Sequence, residues 1–241
     1  MRADIFLVAQ GYAKSRSEAQ AAIKAGLVKA AGALLSKPSQ SIAVGVRIEY
    51  QKPYPFVSRA GGKLAAALDH FGLSPLERVC LDLGASTGGF TQVLLERGAA
   101  RVYALDVGHG QMDADLARDP RVHVREGANA RDLAAFDLPE PVTALTADMS
   151  FISLKLALPP ALALTARGAW AVILVKPQFE VGKAAIGKGG IVRDAKARQR
   201  AVAGAVDFIA ATPDWRVMGT MESPLPGGDG NIEYLLAASK A

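Results

Sequence analysis

Val79-Cys80-Leu81-Asp82-Leu83-Gly84-Ala85-Ser86-Thr87-Gly88-Gly89-Phe90 decides the fold of this 241-residue chain. A short apolar run carries an acid, passes into a glycine-bracketed loop and opens a helix. An open α/β sheet presents the carboxyl end of its first strand to a nucleoside ligand in this way. Glycines at 84, 88 and 89 let the main chain turn tightly and approach a ligand with no Cβ in between. No Gly-Lys-Ser/Thr follows, so the loop is not a P-loop, and Ser86 breaks the G-x-G-x-x-G dinucleotide fingerprint. From this segment alone, an ordinary glycine-rich turn of an α/β protein stands as the plainer alternative.

An acid two residues before the first glycine suits a ligand that joins an amino acid to a ribose. S-adenosylmethionine is such a ligand, and Asp82, Gly84, Ala85, Ser86, Thr87, Gly88, Gly89 and Phe90 are expected to hold it. Downstream residues extend the site. Arg101-Val102-Tyr103-Ala104-Leu105-Asp106 reads as a second strand ending in Asp106, about twenty residues after the loop, where a carboxylate meets ribose hydroxyls. Asn129 follows a third strand, Val122–Val124, where it faces an adenine edge or simply closes a turn. Asp148 ends a further strand, Ala144-Leu145-Thr146-Ala147, and completes the cofactor set.

Strands are expected near 79–83, 102–106, 143–147, 170–176 and 232–237, with helices near 89–97, 110–117, 155–166 and 194–211. That alternation predicts α/β architecture, a doubly wound, mostly parallel sheet of the Rossmann-like type. Ahead of it lies a small α+β part. Residues 1–12 and a segment capped by Ser15 or Ser17 read as helices, the second burying Ala19, Ala22 and Ile23. Leu27-Val28-Lys29 and Val44-Gly45-Val46-Arg47-Ile48 read as short strands. The expected division is 1–50, a proline-stiffened linker at 51–55, and 56–241.

Charge separates the same parts. The chain has 28 Lys and Arg against 23 Asp and Glu, a net +5. Residues 1–59 hold nine of the cations and three of the acids, so they carry +6 and the remainder carries −1. A basic module beside a neutral α/β part points to a polyanion, and Arg2, Lys14, Arg16, Lys24 and Arg59 are its expected RNA contacts. The lone cysteine, Cys80, excludes an intrachain disulfide, and the three histidines are scattered, so no metal site is expected. The longest apolar stretch, 154–175, is broken by Lys155, Pro159, Pro160 and Arg167, which argues against a membrane span. The N-terminal residues lack the apolar core of a signal peptide, so the expectation is a cytoplasmic protein with no obligate protein partner.

Four charges remain. Lys63 opens the first α/β helix, Asp148 and Lys176 end two strands, and Glu233 starts a late one. A lysine at the carboxyl edge of a buried strand needs a partner, and Asp148 projects over the same edge. The order Lys63, Asp148, Lys176, Glu233 resembles the Lys-Asp-Lys-Glu tetrad of FtsJ-like RNA ribose 2′-O-methyltransferases. Ser58-Arg59-x-Gly61-Gly62-Lys63-Leu64, Asp82 to Phe90, Asp148-Met149-Ser150-Phe151-Ile152-Ser153-Leu154, Val175-Lys176-Pro177-Gln178-Phe179-Glu180, Gly187-Lys188-Gly189-Gly190-Ile191-Val192-Arg193-Asp194 and Gly230-Asn231-Ile232-Glu233 are similar to the TlyA family, haemolysin-named rRNA 2′-O-methyltransferases. The N-terminal spacing Ser15-Arg16-Ser17-x-Ala19-x-x-x-Ile23-x-x-Gly26-x-Val28 resembles the α-L RNA-binding module, with Ala31-Gly32 where that module more often has Asn or Asp before glycine.

The resemblance implies S-adenosylmethionine-dependent methylation of a cytidine 2′-hydroxyl in ribosomal RNA, with Lys63, Asp148, Lys176 and Glu233 catalytic. Lys176 then either accepts the hydroxyl proton or stays charged and stabilises developing alkoxide. Glu180, Lys183, Lys188 and Arg193 form a polar glycine-rich loop expected to cover RNA, with Lys188 and Arg193 in contact. A membrane-damaging protein and a non-catalytic RNA binder are the competing readings.

Overall fold

The computed structural model describes residues 1–135 and 138–241, and the chain divides into two compact units, Met1–Ser58 and Arg59–Ala241. In the first unit, helices α1 (Ala3–Ala9) and α2 (Arg16–Lys24) precede strands β1 (Val28–Ala30), β2 (Ala33–Leu34) and β3 (Ile48–Tyr50). Ser15, not Ser17, caps α2, accepting from Glu18 N at 3.2 Å. Ala19, Ala22 and Ile23 pack with Phe6, Leu7 and Val28 in one core. The three strands pair antiparallel in the order β2-β1-β3. The β1–β2 turn places both Ala31 (φ 50°) and Gly32 (φ 81°) in the left-handed region. A hairpin of that geometry matches strand twist, and Ala31 bears strain that Asn or Asp tolerates better. The third strand falls at Ile48–Tyr50, later than the expected 44–48.

The second unit runs α3 (Arg59–Phe71), β4 (Val79–Leu83), α4 (Gly89–Glu96), β5 (Arg101–Leu105), α5 (Ala114–Arg118), β6 (Val122–Arg125), β7 (Val142–Ala147), α6 (Leu154–Ala157), α7 (Pro159–Leu164), β8 (Thr165–Val175), α8 (Pro177–Glu180), α9 (Ala195–Ala210), β9 (Trp215–Glu222) and β10 (Tyr234–Lys240). Its seven strands lie in the order β6-β5-β4-β7-β8-β10-β9. The first five are parallel, and β10 pairs antiparallel with both β8 and β9. Helices on both faces explain why β8 and β10 are apolar throughout their centres, and why β4 is apolar apart from Asp82. Helix α3 buries Leu64, Ala67 and Leu68 at helical spacing, and α9 packs closely through Ala197, Ala201 and Ala205. Strand order reverses between β4 and β7, which leaves a crevice at their carboxyl ends.

Several expected elements differ. The helix drawn through 155–166 is two helices, because Pro159 and Pro160 lack the N–H and start α7 afresh. The strand expected at 170–176 starts at Thr165 and stops at Val175, so Lys176 lies beyond it at the entry to α8. Glu233 precedes β10 instead of lying within a strand at 232–237. Strand β9 was not anticipated. The helix expected at 110–117 begins only at Ala114, where Asp113 caps it. Among the described residues no helix is long and apolar enough to cross a membrane.

Candidate active site

The loop after β4 turns on Gly84 (φ 75°), Ser86 (φ 47°) and Gly88 (φ 93°). Gly84 has a second requirement: a Cβ there would lie 2.5 Å from the Asp148 carbonyl oxygen, so the glycine loop and the end of β7 touch backbone to backbone. Gly84 N and Ala85 N donate to Leu105 O, which ties the loop to β5 as well. A cavity of about 370 Å³ opens over these strand ends. Of the expected cofactor residues, Gly84, Ser86, Asp106 and Asp148 line it. Asp106 Oδ2 accepts from Ser86 N at 2.8 Å and Oδ1 from Gly108 N at 2.7 Å, which aims the carboxylate.

Asp82 is placed differently. It is fully buried beneath the loop, and its oxygens accept from Thr91 Oγ1 at 2.7 Å and Thr146 Oγ1 at 2.9 Å. Burial pushes its carboxyl up to about 6 against the pull of both threonines, and the charge of Asp148 adds to the rise. Phe90 is buried at the start of α4, and Gly88 precedes that helix under Met112 and Leu116. Ala85 is buried, and neither Thr87 nor Gly89 lines the cavity. Asn129 Oδ1 accepts from Arg131 N at 3.1 Å, the turn option for that residue, while its neighbours Ala128 and Ala130 line the cavity.

The tetrad forms two ion pairs. Lys63 Nζ lies 2.5 Å from Glu233 Oε2, both side chains buried although 170 positions apart. Gly227 packs so closely on Glu233 Oε1 that a Cβ there would overlap it. Lys176 Nζ lies 2.6 Å from Asp148 Oδ1, in the second pair. Angles make this contact an ion pair without an aligned hydrogen bond, and Asp148 Oδ1 is buried with no hydrogen-bond donor among the described residues. The aligned bond of Lys176 goes to Ser150 Oγ, at 2.7 Å.

Residues that the sequence reading passed over, Ser150, Phe151 and Gln111, join Asp148 in the lining of the cavity. Phe151 stands at φ 64°, is 91% exposed, and has its ring centroid 5.1 Å from that of Phe179. Ser150 and Phe151 lay inside a motif already quoted, whereas Gln111 carried no signal of its own. Ser86 Oγ meets Gln111 Oε1 at 3.0 Å, and Glu126 accepts from Gly110 N and Gln111 N. Those two amides hold the Glu126 carboxyl below its ordinary range.

Glu180 does not serve the glycine-rich loop as expected. Its carboxylate takes the Ser153 hydroxyl and Leu154 N, each at 2.8 Å, and so caps α6. Lys188 and Arg193 are exposed on the loop, and the Lys183 side chain lies outside the described residues. Asn231, 1% exposed, moors that loop: Oδ1 accepts from Val192 N and Nδ2 donates to Gly190 O, both at 2.9 Å. Arg59 lies beside Gly228. In the first unit Arg2 and Arg16 converge on buried Asp4, at 3.0 Å each, and Gln20 joins them at 2.8 Å. Lys14 and Lys24 are exposed there.

Known proteins carry the same parts. Residues 56–240 match the FtsJ-like methyltransferase family and residues 1–48 match the S4 domain. The chain is 45% identical to the 16S/23S rRNA (cytidine-2′-O)-methyltransferase TlyA of Mycobacterium tuberculosis, over 98% of this chain and 88% of that one. It is 40% identical to Hemolysin A of Brachyspira hyodysenteriae, with 98% of each chain covered. A solved structure of a hemolysin-named protein from Streptococcus thermophilus is 38% identical, with a TM-score of 0.77 over 100% of this chain and 88% of that chain.

Proposed function

The chain belongs to the FtsJ-like methyltransferases, with an S4 domain ahead of the methyltransferase domain, and we propose that it methylates a cytidine ribose 2′-hydroxyl in ribosomal RNA using S-adenosylmethionine. The observation that carries this reading is the Lys176–Asp148 pair at 2.6 Å on the rim of the glycine-loop cavity. The pocket fits the cofactor. Gly84 leaves room for close approach, Asp106 offers a fixed carboxylate, and Asp148 lines the same cavity. When bound, the cofactor supplies a methyl group on a cationic sulfur.

The protein's own task is alignment and proton removal, since a ribose hydroxyl is a weak nucleophile. Lys176 is the group for the 2′-oxygen, charge-balanced by Asp148. Lys63 and Glu233 hold α3 against the segment that enters β10. Phe151 offers an exposed ring to a nucleobase, and such stacking needs no sequence readout. Arg2, Lys14, Arg16 and Lys24 in residues 1–50, with Arg59, Lys188 and Arg193 in residues 56–241, supply phosphate contacts, the two parts being joined by 51–55. A ribosomal substrate implies work in the cytoplasm.

The membrane-damaging and non-catalytic readings are not favoured, because a relative matching nearly the whole chain is named for rRNA methylation. The test is methyl transfer to ribosomal subunits, with 2′-O-methyl positions mapped by resistance to alkaline cleavage. New resistance at cytidine, lost in Lys176→Ala while RNA binding persists, is expected. Methyl groups found on bases, or no transfer to either subunit, would overturn the assignment. A single-turnover pH profile distinguishes the two roles of Lys176. The proton-accepting role requires a rate that depends on a group titrating below the ordinary lysine range.

A further inference from the structure

We propose that Ser150 is a positioning residue of the methyl-transfer site, which sets the direction of the Lys176 amine while Asp148 supplies its charge partner. The inference rests on the function proposed above. A lysine amine ends a flexible chain and turns freely about its last bonds. Coulomb attraction depends on distance and orients it weakly, whereas a hydrogen bond weakens steeply away from alignment. Asp148 Oδ1 is close to Nζ but misaligned, and Ser150 Oγ is the aligned acceptor. The two contacts therefore divide the work.

The loop that carries Ser150 is built to hold this position. Phe151, the next residue, sits at φ 64°, a left-handed conformation that a residue with a Cβ adopts only under strain. Strain of this kind persists only where surroundings enforce it, and here both anchors come from the segment just after Lys176. Glu180 takes the Ser153 hydroxyl and Leu154 N, and Phe179 meets the Phe151 ring. The segments that carry Ser150 and Lys176 are thus registered against each other by these contacts. Ser150 takes one N–H direction at Nζ, and an N–H direction is left for the ribose hydroxyl. Ser150 itself takes no proton and forms no bond to carbon.

Full-length Ser150→Ala and Ser150→Thr proteins test this. Single-turnover methylation of ribosomal subunits is expected to slow about tenfold in Ser150→Ala, the size of one lost hydrogen bond to a charged group. RNA half-saturation and cofactor affinity should stay within about twofold, and Ser150→Thr should restore the rate to within about threefold. A second readout needs no substrate. Acylation of Lys176 by an amine-selective reagent, followed by peptide mass, should change by severalfold in Ser150→Ala and return toward wild type in Ser150→Thr. Wild-type rate and labelling in Ser150→Ala, or a threonine variant as impaired as the alanine one, would overturn the proposal. If the wild-type protein transfers no methyl to RNA, the proposed function fails, and the labelling comparison still decides the role of Ser150.

Discussion

Replacing Asp82 with asparagine should make this protein more stable at neutral pH, and only there. Asp82 is fully buried, and its carboxyl is pushed from the ordinary 3.8 up to about 6. At 1.36 kcal/mol per pH unit, holding the carboxylate ionised costs the fold about 3 kcal/mol. The sign follows from linkage. With the folded value raised, the folded state binds the extra proton, so this group's contribution is most favourable below about pH 4. It is lost as pH rises toward 6, and above 6 the full cost is present. Asparagine keeps the shape without the charge, and the Thr91 and Thr146 hydroxyls can rotate to donate or accept. Urea unfolding of wild type and Asp82→Asn at pH 4, 5, 6 and 7.5 gives the difference directly. It should be near zero at pH 4 and approach about 3 kcal/mol in favour of Asp82→Asn at pH 7.5. A difference that stays flat, or an asparagine variant less stable at pH 7.5, would refute the reasoning. Cofactor affinity measured on the same proteins should fall as stability rises, because a charge retained at such cost beneath the glycine loop serves a ligand.

Breaking the buried Lys63–Glu233 pair with Lys63→Met should cost about 3–5 kcal/mol in denaturant titration, and adding Glu233→Leu should return most of it; a loss under 1 kcal/mol would mean the pair is solvated. Gly84→Ala meets the Asp148 carbonyl at 2.5 Å and adopts φ 75°, so calorimetry should find cofactor binding weakened at least tenfold, with wild-type affinity as the refuting result. Asp4→Ala releases Arg2, Arg16 and Gln20 together. The Arg2 bond holds the Asp4 carboxyl well below its usual range, so its stabilisation is present above about pH 4 and fades as pH falls further. RNA affinity in filter binding should drop in Asp4→Ala at neutral pH and unfolding should come earlier; unchanged values for both would remove Asp4 from that role.

The parallel half of the sheet was legible because β4, β5 and β7 are apolar runs buried on both faces that carry an acid at or just past their ends. Strand β9 was not, since Met218 and Gly219 interrupt the apolar-polar alternation of this edge strand. Lys176 and Asp148 could be paired from sequence because both follow parallel neighbours, β8 and β7, at the same edge. The Lys63–Glu233 contact could not, as no local pattern relates residues so distant in the chain. Asp82 illustrates a limit of reading motifs. Its position in the loop motif suggested ligand contact, but strand alternation turns its side chain inward onto two threonines. Glu180 and Ser150 were hidden for the opposite reason: each acts across loops, through single hydrogen bonds that leave no periodicity.

The strand of this sheet that comes last in chain order is not an edge strand. β10 lies between β8 and β9, and Glu233, which holds the helix at the domain's start, directly precedes it. Until residues 234–240 clear the ribosome, β9 has nothing to pair with and Lys63 has no counterion. The pairing of β9 and the neutralisation of Lys63 therefore belong to one folding step, which docks β10 and its preceding residue together.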